Sequence, residues 1–314
     1  MNILVTGSSG FIASNLIPKL KKAGHHLIGV DSLDSKSTNH DLTSDYCSHH
    51  FFNINELEKL SQLLVDVDVV FHLAAKGNVV ESIDDPLSNF QANVSSTLSL
   101  LEAMRVANCK RIIFSSTGGA LMGDTSPPVD EQTLPQPISP YGASKLACEG
   151  YLSAYSKSFG ISSIVLRFGN VYGPYSSHKV GVINRWIRLA IEGKPLVIYG
   201  DGKSSRDYIH VDDLTDGLQL ALGRIHGNSD SVFETYHLAN YAEITLLDLK
   251  EILECCLPGE KLDVIYKKAR VGEVNKNFAN ISLAKSKLGF NPIVNFANGV
   301  SELYEWIQAN EYSS

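Results

Sequence analysis

Short apolar runs rich in β-branched residues alternate with stretches of helical periodicity through the first half of the chain. The runs predict strands near Asn2–Thr6, His26–Asp31, Val67–His72, Arg111–Ser115 and Ser163–Phe168. The intervening pattern predicts helices over Gly10–Ala23, Glu56–Leu64, Asn93–Ala107 and Pro140–Phe159. Strands that alternate with helices build βαβ units, whose strands lie parallel. The pattern therefore predicts the α/β class, with a doubly wound parallel sheet.

After Arg167 the alternation gives way to shorter segments punctuated by Gly, Pro and Ser, as in Gly173-Pro174-Tyr175-Ser176-Ser177. Such punctuation is typical of loops between short elements. A helical run from Asp212 to Leu222 and an apolar run over Thr235–Asn240 can still belong to the first sheet. We therefore predict a sheet domain of residues 1–169 and 208–241, and a smaller mixed α/β domain of residues 170–207 and 242–314.

Charge and hydropathy exclude two classes of partner. The chain has a formal net charge of −7 and a sequence pI of about 5.8, with no cluster of Lys and Arg, so nucleic-acid binding is not expected. The longest apolar stretches, such as Val67–Ala75, are shorter than the roughly 20 residues of a membrane span. No basic and apolar targeting segment precedes the first strand. We expect a cytoplasmic protein that does not bind membranes.

The candidate metal ligands are five cysteines without C-x-x-C spacing and two adjacent histidine pairs, His25-His26 and His49-His50. Adjacent side chains diverge, and no third ligand follows at the spacing of a zinc site. Neither a metal site nor a disulfide framework is expected.

A glycine-rich turn follows the first predicted strand. In Thr6-Gly7-Ser8-Ser9-Gly10-Phe11-Ile12-Ala13, Gly7 permits a tight turn and Gly10 lets phosphates approach the backbone. Ala13 stands where a small residue lets the helix pack on the strand. The segment predicts a pyrophosphate site at the start of a helix.

The second strand ends at Asp31, about twenty residues beyond this turn, where a carboxylate accepts hydrogen bonds from an adenosine ribose. A carboxylate there repels a 2′-phosphate, and no Arg follows it directly. NAD is therefore favoured over NADP, although Lys36 keeps NADP open.

Tyr141 and Lys145 stand four residues apart in Tyr141-Gly142-Ala143-Ser144-Lys145, which places them on one face of a helix. A free tyrosine has a pKa near 10, so a phenolate base at pH 7 needs roughly 4 kcal/mol of stabilisation by positive charge. Lys145 and an oxidised nicotinamide ring can supply that charge. Thr117 ends a strand at the carboxyl edge of the sheet, where ligands bind, and is the hydroxyl expected to share the substrate proton.

Together these pieces resemble the extended short-chain dehydrogenase/reductases, and within them the nucleotide-sugar epimerases and dehydratases. The resemblance covers nearly the whole chain and implies a Rossmann fold, NAD as the cofactor and a UDP-linked nucleotide sugar as the substrate. The further matching segments are His72-Leu73-Ala74-Ala75, Asn93, Ser115-Ser116-Thr117, Arg167-Phe168-Gly169-Asn170-Val171-Tyr172-Gly173-Pro174, Gly200–Asp213 and Arg270-Val271-Gly272-Glu273.

The resemblance implies a set of NAD contacts. Leu73–Ala75 is expected to pass beneath the cofactor, and Lys145 to bind the nicotinamide ribose. Asn53 departs from the Asp that members often carry for the adenine amine, although an amide oxygen can accept the same bond. The implied residues are Gly7, Ser9, Gly10, Phe11, Ile12, Asp31, Asn53, Ile54, Leu73, Ala74, Ala75, Asn93, Ser115, Tyr141 and Lys145.

The resemblance also implies a substrate site. Asn170, Arg206 and Arg270 are expected to contact the diphosphate, and Glu273 the ribose of the nucleotide. The implied residues are Lys76, Thr117, Asn170, Val182, Tyr199, Arg206, Arg270, Glu273 and Asn277.

Two positions bear on the reaction. The 4,6-dehydratases of this group carry Asp-Glu directly after the catalytic Thr, whereas this chain has Gly118-Gly119. Dehydration then lacks its proton-transfer groups. Uronate-selective relatives tend to carry an Arg shortly after the Gly-Pro turn, whereas this chain has Tyr175-Ser176-Ser177-His178. We therefore expect 4-epimerisation of UDP-glucose or UDP-GlcNAc, with Tyr141 as base.

Asn277 stands where some members carry a bulky Tyr, and its smaller side chain would admit a 2-acetamido group. Met122, where Tyr is usual, predicts an atypical sugar-side environment. Two alternatives stay open: an NAD(P)H-dependent 4-ketoreductase or dehydrogenase of a deoxysugar nucleotide, and a non-catalytic NAD-binding scaffold.

The apolar faces of the helices predicted over Asn93–Ala107 and Pro140–Phe159 can pair across a two-fold axis, as members of this family often do. Burial against their own sheet explains the same pattern. A homodimer is expected.

Overall fold

The computed structural model describes residues 1–32, 39–227, 231–257, 261–268 and 276–312. Its strands are β1 Asn2–Thr6, β2 His26–Asp31, β3 Ser48–Phe51, β4 Val69–His72, β5 Arg111–Thr117, β6 Ser162–Phe168, β7 Asn170–Tyr172, β8 Leu196–Tyr199, β9 Ser205–Arg206, β10 Tyr208–His210, β11 Phe233–Leu238, β12 Ile244–Thr245, β13 Val264–Lys267 and β14 Lys276–Asn277. Its α-helices are α1 Phe11–Lys22, α2 His40–Thr43, α3 Leu57–Leu63, α4 Val79–Asp84, α5 Pro86–Phe90, α6 Ser96–Ala107, α7 Gly119–Met122, α8 Pro140–Phe159, α9 Val182–Ile191, α10 Val211–His226, α11 Leu246–Cys256, α12 Ser282–Leu288 and α13 Phe296–Ile307.

Seven strands form one sheet in the order β11-β6-β5-β4-β1-β2-β3, and every neighbouring pair in it is parallel. The chain starts in the middle of the sheet, builds outward to β3, and returns past β1 to build the other half. This reversal is the doubly wound Rossmann arrangement, and it places a crevice at the carboxyl ends of β1 and β4. The predicted fold class is confirmed.

Apolar residues on successive strand positions cover both faces of the sheet. Ile3 and Val5 of β1 face a core cluster that includes residues of α1 and α10, whereas Leu4 faces the opposite cluster, with residues of α6 and α8. Alternate side chains of a strand point to opposite faces, so a strand covered by helices on both sides is apolar throughout. The central strands therefore read as continuous apolar runs.

The chain after β6 divides between this sheet and smaller ones. β11 adds to the edge of the large sheet beside β6, and the apolar run predicted over Thr235–Asn240 overlaps it. By contrast, β7 pairs with β10, β9 lies between β12 and β14, and β8 pairs with β13. A third core cluster joins α9, α11 and α13 to β8. The division into two domains at the stated boundaries stays a prediction.

Two local features differ from the sequence-based expectation. β3 was not predicted, because its polar sequence Ser48-His49-His50-Phe51 lacks an apolar run. The helix predicted over Asn93–Ala107 begins with a π-helical turn, Gln91–Ser95. Met122 is completely buried in the first core cluster, and its effect on the sugar-side environment stays a prediction. Within the described ranges, no helix combines the length and apolar character that crossing a membrane requires.

Candidate active site

The glycine-rich turn between β1 and α1 has a backbone that only glycine satisfies at Gly7. Gly7 has a φ of +67°, and a Cβ atom there would lie 2.8 Å from the backbone nitrogen of Ala74. The segment Leu73–Ala75 therefore lies directly against the turn, and its predicted passage beneath the cofactor stays a prediction. Gly10 caps α1 in an extended conformation without a side-chain hydrogen bond. The first amides of α1 are thus not capped by a side chain and suit a bound anion.

Asp31 at the end of β2 lies beside this turn. Its Oδ2 accepts a 2.8 Å hydrogen bond from the backbone nitrogen of Ser9, and its Oδ1 accepts one of 2.8 Å from the nitrogen of Ser32. The carboxylate therefore holds the turn and the end of β2 together, at the place expected for an adenosine ribose. The glycine turn and the first amides of α1 fit the diphosphate of NAD, and the adjacent Asp31 carboxylate fits its ribose.

A buried histidine supports the segment that faces the turn. His72 Nε2 donates to Thr97 Oγ1 at 3.0 Å, since the Thr97 hydroxyl itself donates to the carbonyl of Asn93. His72 Nδ1 then accepts from Thr6 Oγ1 at 2.7 Å, and the same Thr6 oxygen accepts from the nitrogen of Ala74 at 3.2 Å. Burial lowers the pKa of His72 to about 3, so the ring is neutral and fixed.

Asn93 binds protein groups on two sides. Its Oδ1 accepts from the backbone nitrogen of Lys76 at 2.9 Å, and its Nδ2 donates to Ser144 Oγ at 3.0 Å. The Lys76 ammonium extends to Ser88 Oγ at 2.8 Å. Asn93 therefore positions Lys76 relative to α8. A direct contact of its side chain with NAD stays a prediction.

Thr117, Tyr141 and Lys145 meet at the carboxyl end of β5. Ser139 caps α8 by accepting from the nitrogen of Gly142, which starts the helix at Pro140 and places Tyr141 in its first turn. The Thr117 hydroxyl lies beside the Tyr141 phenol, and its influence lowers the pKa of the phenol. One turn along α8, Lys145 Nζ donates to the carbonyl oxygen of Ser115 at 2.8 Å. The structure thus brings the three predicted catalytic residues together.

The electrostatics of this trio differ in one respect from the expectation. Burial raises the pKa of Tyr141 to about 12, although the Thr117 hydroxyl acts in the opposite direction. Burial also lowers the pKa of Lys145 to about 8. In the ligand-free protein Tyr141 is therefore a phenol, and Lys145 by itself does not make it a phenolate. Additional positive charge is needed at the site before Tyr141 can act as a base.

The substrate side approaches the same edge of the sheet through Gly119. A Cβ atom on Gly119 would lie 3.4 Å from Asn277 Oδ1, and Asn277 is only 3% exposed. β14 pairs in parallel with β9, where Asn277 stands opposite Arg206. Register partners in a parallel pair share a face, so Arg206, Asn277 and Gly119 form one continuous wall. A Cβ atom on Gly118 would lie 3.2 Å from His237 Nδ1.

Asp207 organises this wall and was missed from the sequence. Its carboxylate accepts from the backbone nitrogens of Asn240 at 2.8 Å, Tyr241 at 3.1 Å and Ala279 at 3.3 Å. Its own carbonyl accepts from the nitrogen of Asn170 at 2.7 Å. Burial raises its pKa to about 6, against these hydrogen bonds. The signal available in the sequence was an aspartate within the matched segment Gly200–Asp213, because a carboxylate that becomes buried requires hydrogen-bond partners.

The remaining predicted residues have separate positions. Asn53 is exposed, and its Oδ1 accepts from the nitrogen of Asn55 at 3.0 Å. Ile54 packs against the second core cluster. Val182 begins α9 and Tyr199 ends β8. Arg270 and Glu273, like Lys36, lie outside the described residues. Across the described part of the chain, no three His, Cys, Asp or Glu side chains come together as a metal-binding group.

The family model described as "NAD dependent epimerase/dehydratase family" matches residues 3–239, from the first strand to the end of the large sheet. The chain belongs to this family. Its members use NAD, so the cofactor predicted from the glycine turn and Asp31 is confirmed. The matched region contains Thr117, Tyr141, Lys145 and the whole glycine-rich turn.

Solved structures of family members resemble the chain over its full length. A UDP-glucose 4-epimerase from Thermotoga maritima, solved with UDP-glucose, is 33% identical, with a TM-score of 0.91 over 98% of this chain and 99% of that one. A UDP-glucuronic acid 4-epimerase from Bacillus cereus, solved with UDP-glucuronic acid and NAD, is 32% identical, with a TM-score of 0.90 over 98% and 99%. A UDP-N-acetylglucosamine 4-epimerase from Methanobrevibacter ruminantium is 31% identical, with a TM-score of 0.89 over 98% of each chain.

Proposed function

We propose that this epimerase-family protein inverts C4 of a UDP-linked neutral sugar, UDP-glucose or UDP-GlcNAc. The observation that carries the proposal is the geometry at the end of β5, where Thr117, Tyr141 and Lys145 meet and the next two residues are Gly118 and Gly119. The site has groups for moving the proton of one hydroxyl. It lacks the carboxylate pair after Thr117 that dehydratases use to remove water.

In this mechanism Tyr141 takes the proton of the C4 hydroxyl, and the neighbouring Thr117 hydroxyl shares it. Bound NAD would supply a reversible hydride acceptor and, in its oxidised ring, a positive charge. Lys145 would add its own charge and hold the ribose next to that ring. Two cations beside a buried phenol offset the burial that raises the pKa of Tyr141. Tyr141 can then act as base and, as a phenol, return the proton.

Inversion requires the 4-keto sugar to turn over before hydride returns to its other face. Arg206, with Arg270, would hold the diphosphate, because guanidinium groups bind phosphate through paired hydrogen bonds. The sugar would contact few residues and could therefore rotate. Gly119 carries no side chain on the wall that Asn277 contacts, which supports this freedom.

The neutral character of the sugar is supported at the turn after Gly173-Pro174. Tyr175 packs its ring edge against Trp306 at 5.6 Å, and its carbonyl accepts from Asn39 Nδ2 at 2.9 Å. None of Tyr175, Ser176, Ser177 and His178 is the arginine that uronate-selective relatives tend to carry shortly after this turn. Asn277 supports an N-acetylhexosamine as well as a hexose, since it is smaller than the tyrosine that some members carry.

The direct test is conversion without added cofactor. The purified protein, incubated with UDP-glucose or UDP-GlcNAc and followed by anion-exchange chromatography, is expected to produce the galacto isomer up to an equilibrium mixture. Net formation or consumption of NADH without isomer would instead support the ketoreductase or dehydrogenase alternative.

A substitution separates the enzyme from a non-catalytic scaffold. Tyr141→Phe is expected to lower turnover by roughly 10³-fold, as loss of a general base does, while retaining NAD. Tyr312→Phe, at an exposed tyrosine near the end of the chain whose hydroxyl donates to Glu192, is the matched control and should retain turnover. Equal activity of the two variants would exclude Tyr141 as the base.

We also propose a homodimer built on α6 and α8. Val106 on α6 is 69% exposed, and Tyr151 and Phe159 on α8 are 40% and 42% exposed. Apolar side chains on neighbouring helices suit a self-complementary two-fold interface. Light scattering on a gel-filtration column is expected to give twice the chain mass, and Val106→Glu to give a monomer.

A further inference from the structure

Three successive turns of α8 lie against three successive residues of β5. Tyr141 lies beside the Thr117 hydroxyl, and Lys145 donates to the carbonyl of Ser115. One turn further, Glu149 Oε1 accepts from Ser116 Oγ at 2.6 Å. Residues four apart lie on one face of a helix, so Tyr141, Lys145 and Glu149 form one line along the strand. The first two residues are the predicted catalytic pair, and the third is a buried carboxylate that the proposed mechanism does not use.

Glu149 forms a buried ion pair with Arg167 of β6. Arg167 Nη2 lies 2.8 Å from Glu149 Oε2, and the two side chains are 7% and 6% exposed. Arg167 stands opposite Ser116 in the β5–β6 register, so both face α8. Removing two charges from water costs more than such a pair usually regains, and apolar residues often stabilise a core better. Arg167 Nη1 is also buried without a partner among the described residues. The pair is therefore poorly explained by stability.

The groups around Lys145 show what the carboxylate does there. From β5, the Phe114 ring lies 4.6 Å from its Nζ, and the Ser115 carbonyl accepts its hydrogen bond. From β4, His72 is neutral. On α8 itself, burial raises the pKa of Cys148, so its thiol carries no charge near neutral pH. Two neighbours act to raise the pKa of Lys145, Cys148 and then Glu149, and because the thiol is neutral, Glu149 provides the negative charge that stabilises the ammonium form.

The row continues beyond Arg167 to His237 of β11, which stands opposite Arg167 in the register and is neutral, because burial lowers the pKa of its ring to about 4. The backbone nitrogen of His237 donates to Glu131 Oε1 at 2.8 Å, so a second carboxyl group lies on this side of Arg167. Glu149 is the carboxylate in direct contact with Arg167. Loss of Glu149 would remove a negative charge one helical turn from Lys145 and would therefore disfavour protonated Lys145.

We propose that Glu149 is a positioning residue for the proposed epimerase reaction: from the buried pair with Arg167 it keeps Lys145 charged and holds Ser116, and with it Thr117, against the catalytic helix. This role rests on the proposed function only through the use of Lys145 as a cation. Glu149 touches neither substrate nor cofactor and acts through its neighbours.

Glu149→Gln tests the proposal through the pH dependence of turnover. The alkaline limb of kcat is expected to move to lower pH by about one unit, because Lys145 loses its proton more readily. Glu149→Asp keeps the charge and should keep the limb within about 0.3 pH units of the parent, whatever its melting temperature. Glu234→Gln removes an equivalent partner from the Arg224–Glu234 ion pair, away from Lys145, and should leave the limb unmoved.

If Glu149→Gln does not fold, because it leaves Arg167 buried and unpaired, the double variant Glu149→Gln/Arg167→Met removes both charges and is expected to shift the limb in the same direction. The proposal would be overturned if a folded variant without the Glu149 carboxylate kept the alkaline limb of kcat at the parental pH. So would an equal shift in Glu149→Asp, because that would indicate a structural role.

A readout without substrate separates this inference from the proposed function. In NAD-bound protein labelled at the lysine Cε carbons, the NMR signal of Lys145, assigned by its loss in Lys145→Met, reports the amine pKa directly. The pKa is expected to fall by about one unit in Glu149→Gln. A lowered pKa in a protein without epimerase activity would uphold the role of Glu149 and reject the reaction. An unchanged Lys145 pKa in a protein with epimerase activity would reject the role of Glu149 and uphold the reaction.

Discussion

The Nζ atom of Lys145 donates a 2.8 Å hydrogen bond to the carbonyl oxygen of Ser115, two residues before Thr117. This bond fixes the ammonium on β5, one helical turn from Tyr141. The catalytic pair is thus attached to the strand that also carries the hydroxyl partner of the phenol. Tyr141, Lys145 and Thr117 therefore keep their relative positions when the sugar moves.

The first prediction concerns pH. Burial lowers the pKa of Lys145 to about 8, so its charge is present below that pH and is lost as the pH rises through it. Turnover is expected to fall about tenfold per pH unit above the limb, since the phenolate loses its stabilising cation. Lys145→Arg keeps its charge far beyond pH 8, so its residual activity should lack this limb. The same limb in Lys145→Arg would assign the titration to another group.

The second prediction uses two glycines with positive φ. Gly7→Ala is expected to weaken NAD binding at least tenfold (~1.4 kcal/mol), because its Cβ would displace the backbone of Ala74. Gly24→Ala, at a φ of +85° with nothing within 4 Å of its Cβ, bears the backbone strain alone. It should lower stability by about 1 kcal/mol and retain NAD. Bound NAD per chain after gel filtration and the melting temperature distinguish the two effects.

The third prediction concerns the size of the sugar pocket. Asn277→Tyr adds a ring to the wall that faces Gly119, so kcat/KM for UDP-GlcNAc is expected to fall at least tenfold more than kcat/KM for UDP-glucose. The ratio of the two substrates is an internal control, because a general folding defect lowers both equally. An unchanged ratio would place the 2-acetamido group away from Asn277.

The fourth prediction concerns acid stability. Burial, followed by the charge of Arg167, lowers the pKa of His237 to about 4. The unfolded chain binds a proton at this histidine near pH 6.5 but the folded chain does not, so stability is full above that pH and falls as the pH drops toward 4. The loss in the free energy of unfolding that His237 causes amounts to about 3 kcal/mol. His72 contributes in the same direction.

His237→Leu removes one of these two contributions. Its melting temperature is expected to fall less between pH 7 and pH 5 than that of the parent protein. His226→Gln, which replaces an exposed histidine at the end of α10, should retain the parental slope. An unchanged slope in His237→Leu would mean that the buried ring is protonated in the folded protein.

Much of the sheet was predictable because its strands are apolar on both faces. β1 and β2 coincide with the predicted strands, and α8 spans the predicted Pro140–Phe159. β3 was missed, because an edge strand with polar side chains has no apolar period. The catalytic trio was predictable for a local reason: Tyr141 and Lys145 share one helix, and Thr117 ends a strand.

The polar groups beneath the site were not predictable in the same way. Glu149 binds Ser116 and Arg167, and Asp207 binds Asn240 and Ala279, across separations that no local period encodes. Each of these contacts depends on which strands become neighbours and on the register in which they pair. A sequence indicates that a buried carboxylate needs partners, but the sheet order decides which partners it has.

The three-turn attachment of α8 to β5 has a consequence for protein engineering. The proton-transfer geometry resides in one helix and one strand, whereas Asn277, which we propose limits the size of the sugar, comes from β14. Under the proposed function, the chemistry and the choice of sugar are therefore separable parts of the chain. A library confined to β14 and its flanking loops spares the diphosphate contact proposed for Arg206 and can search for new sugars while the catalytic trio stays intact.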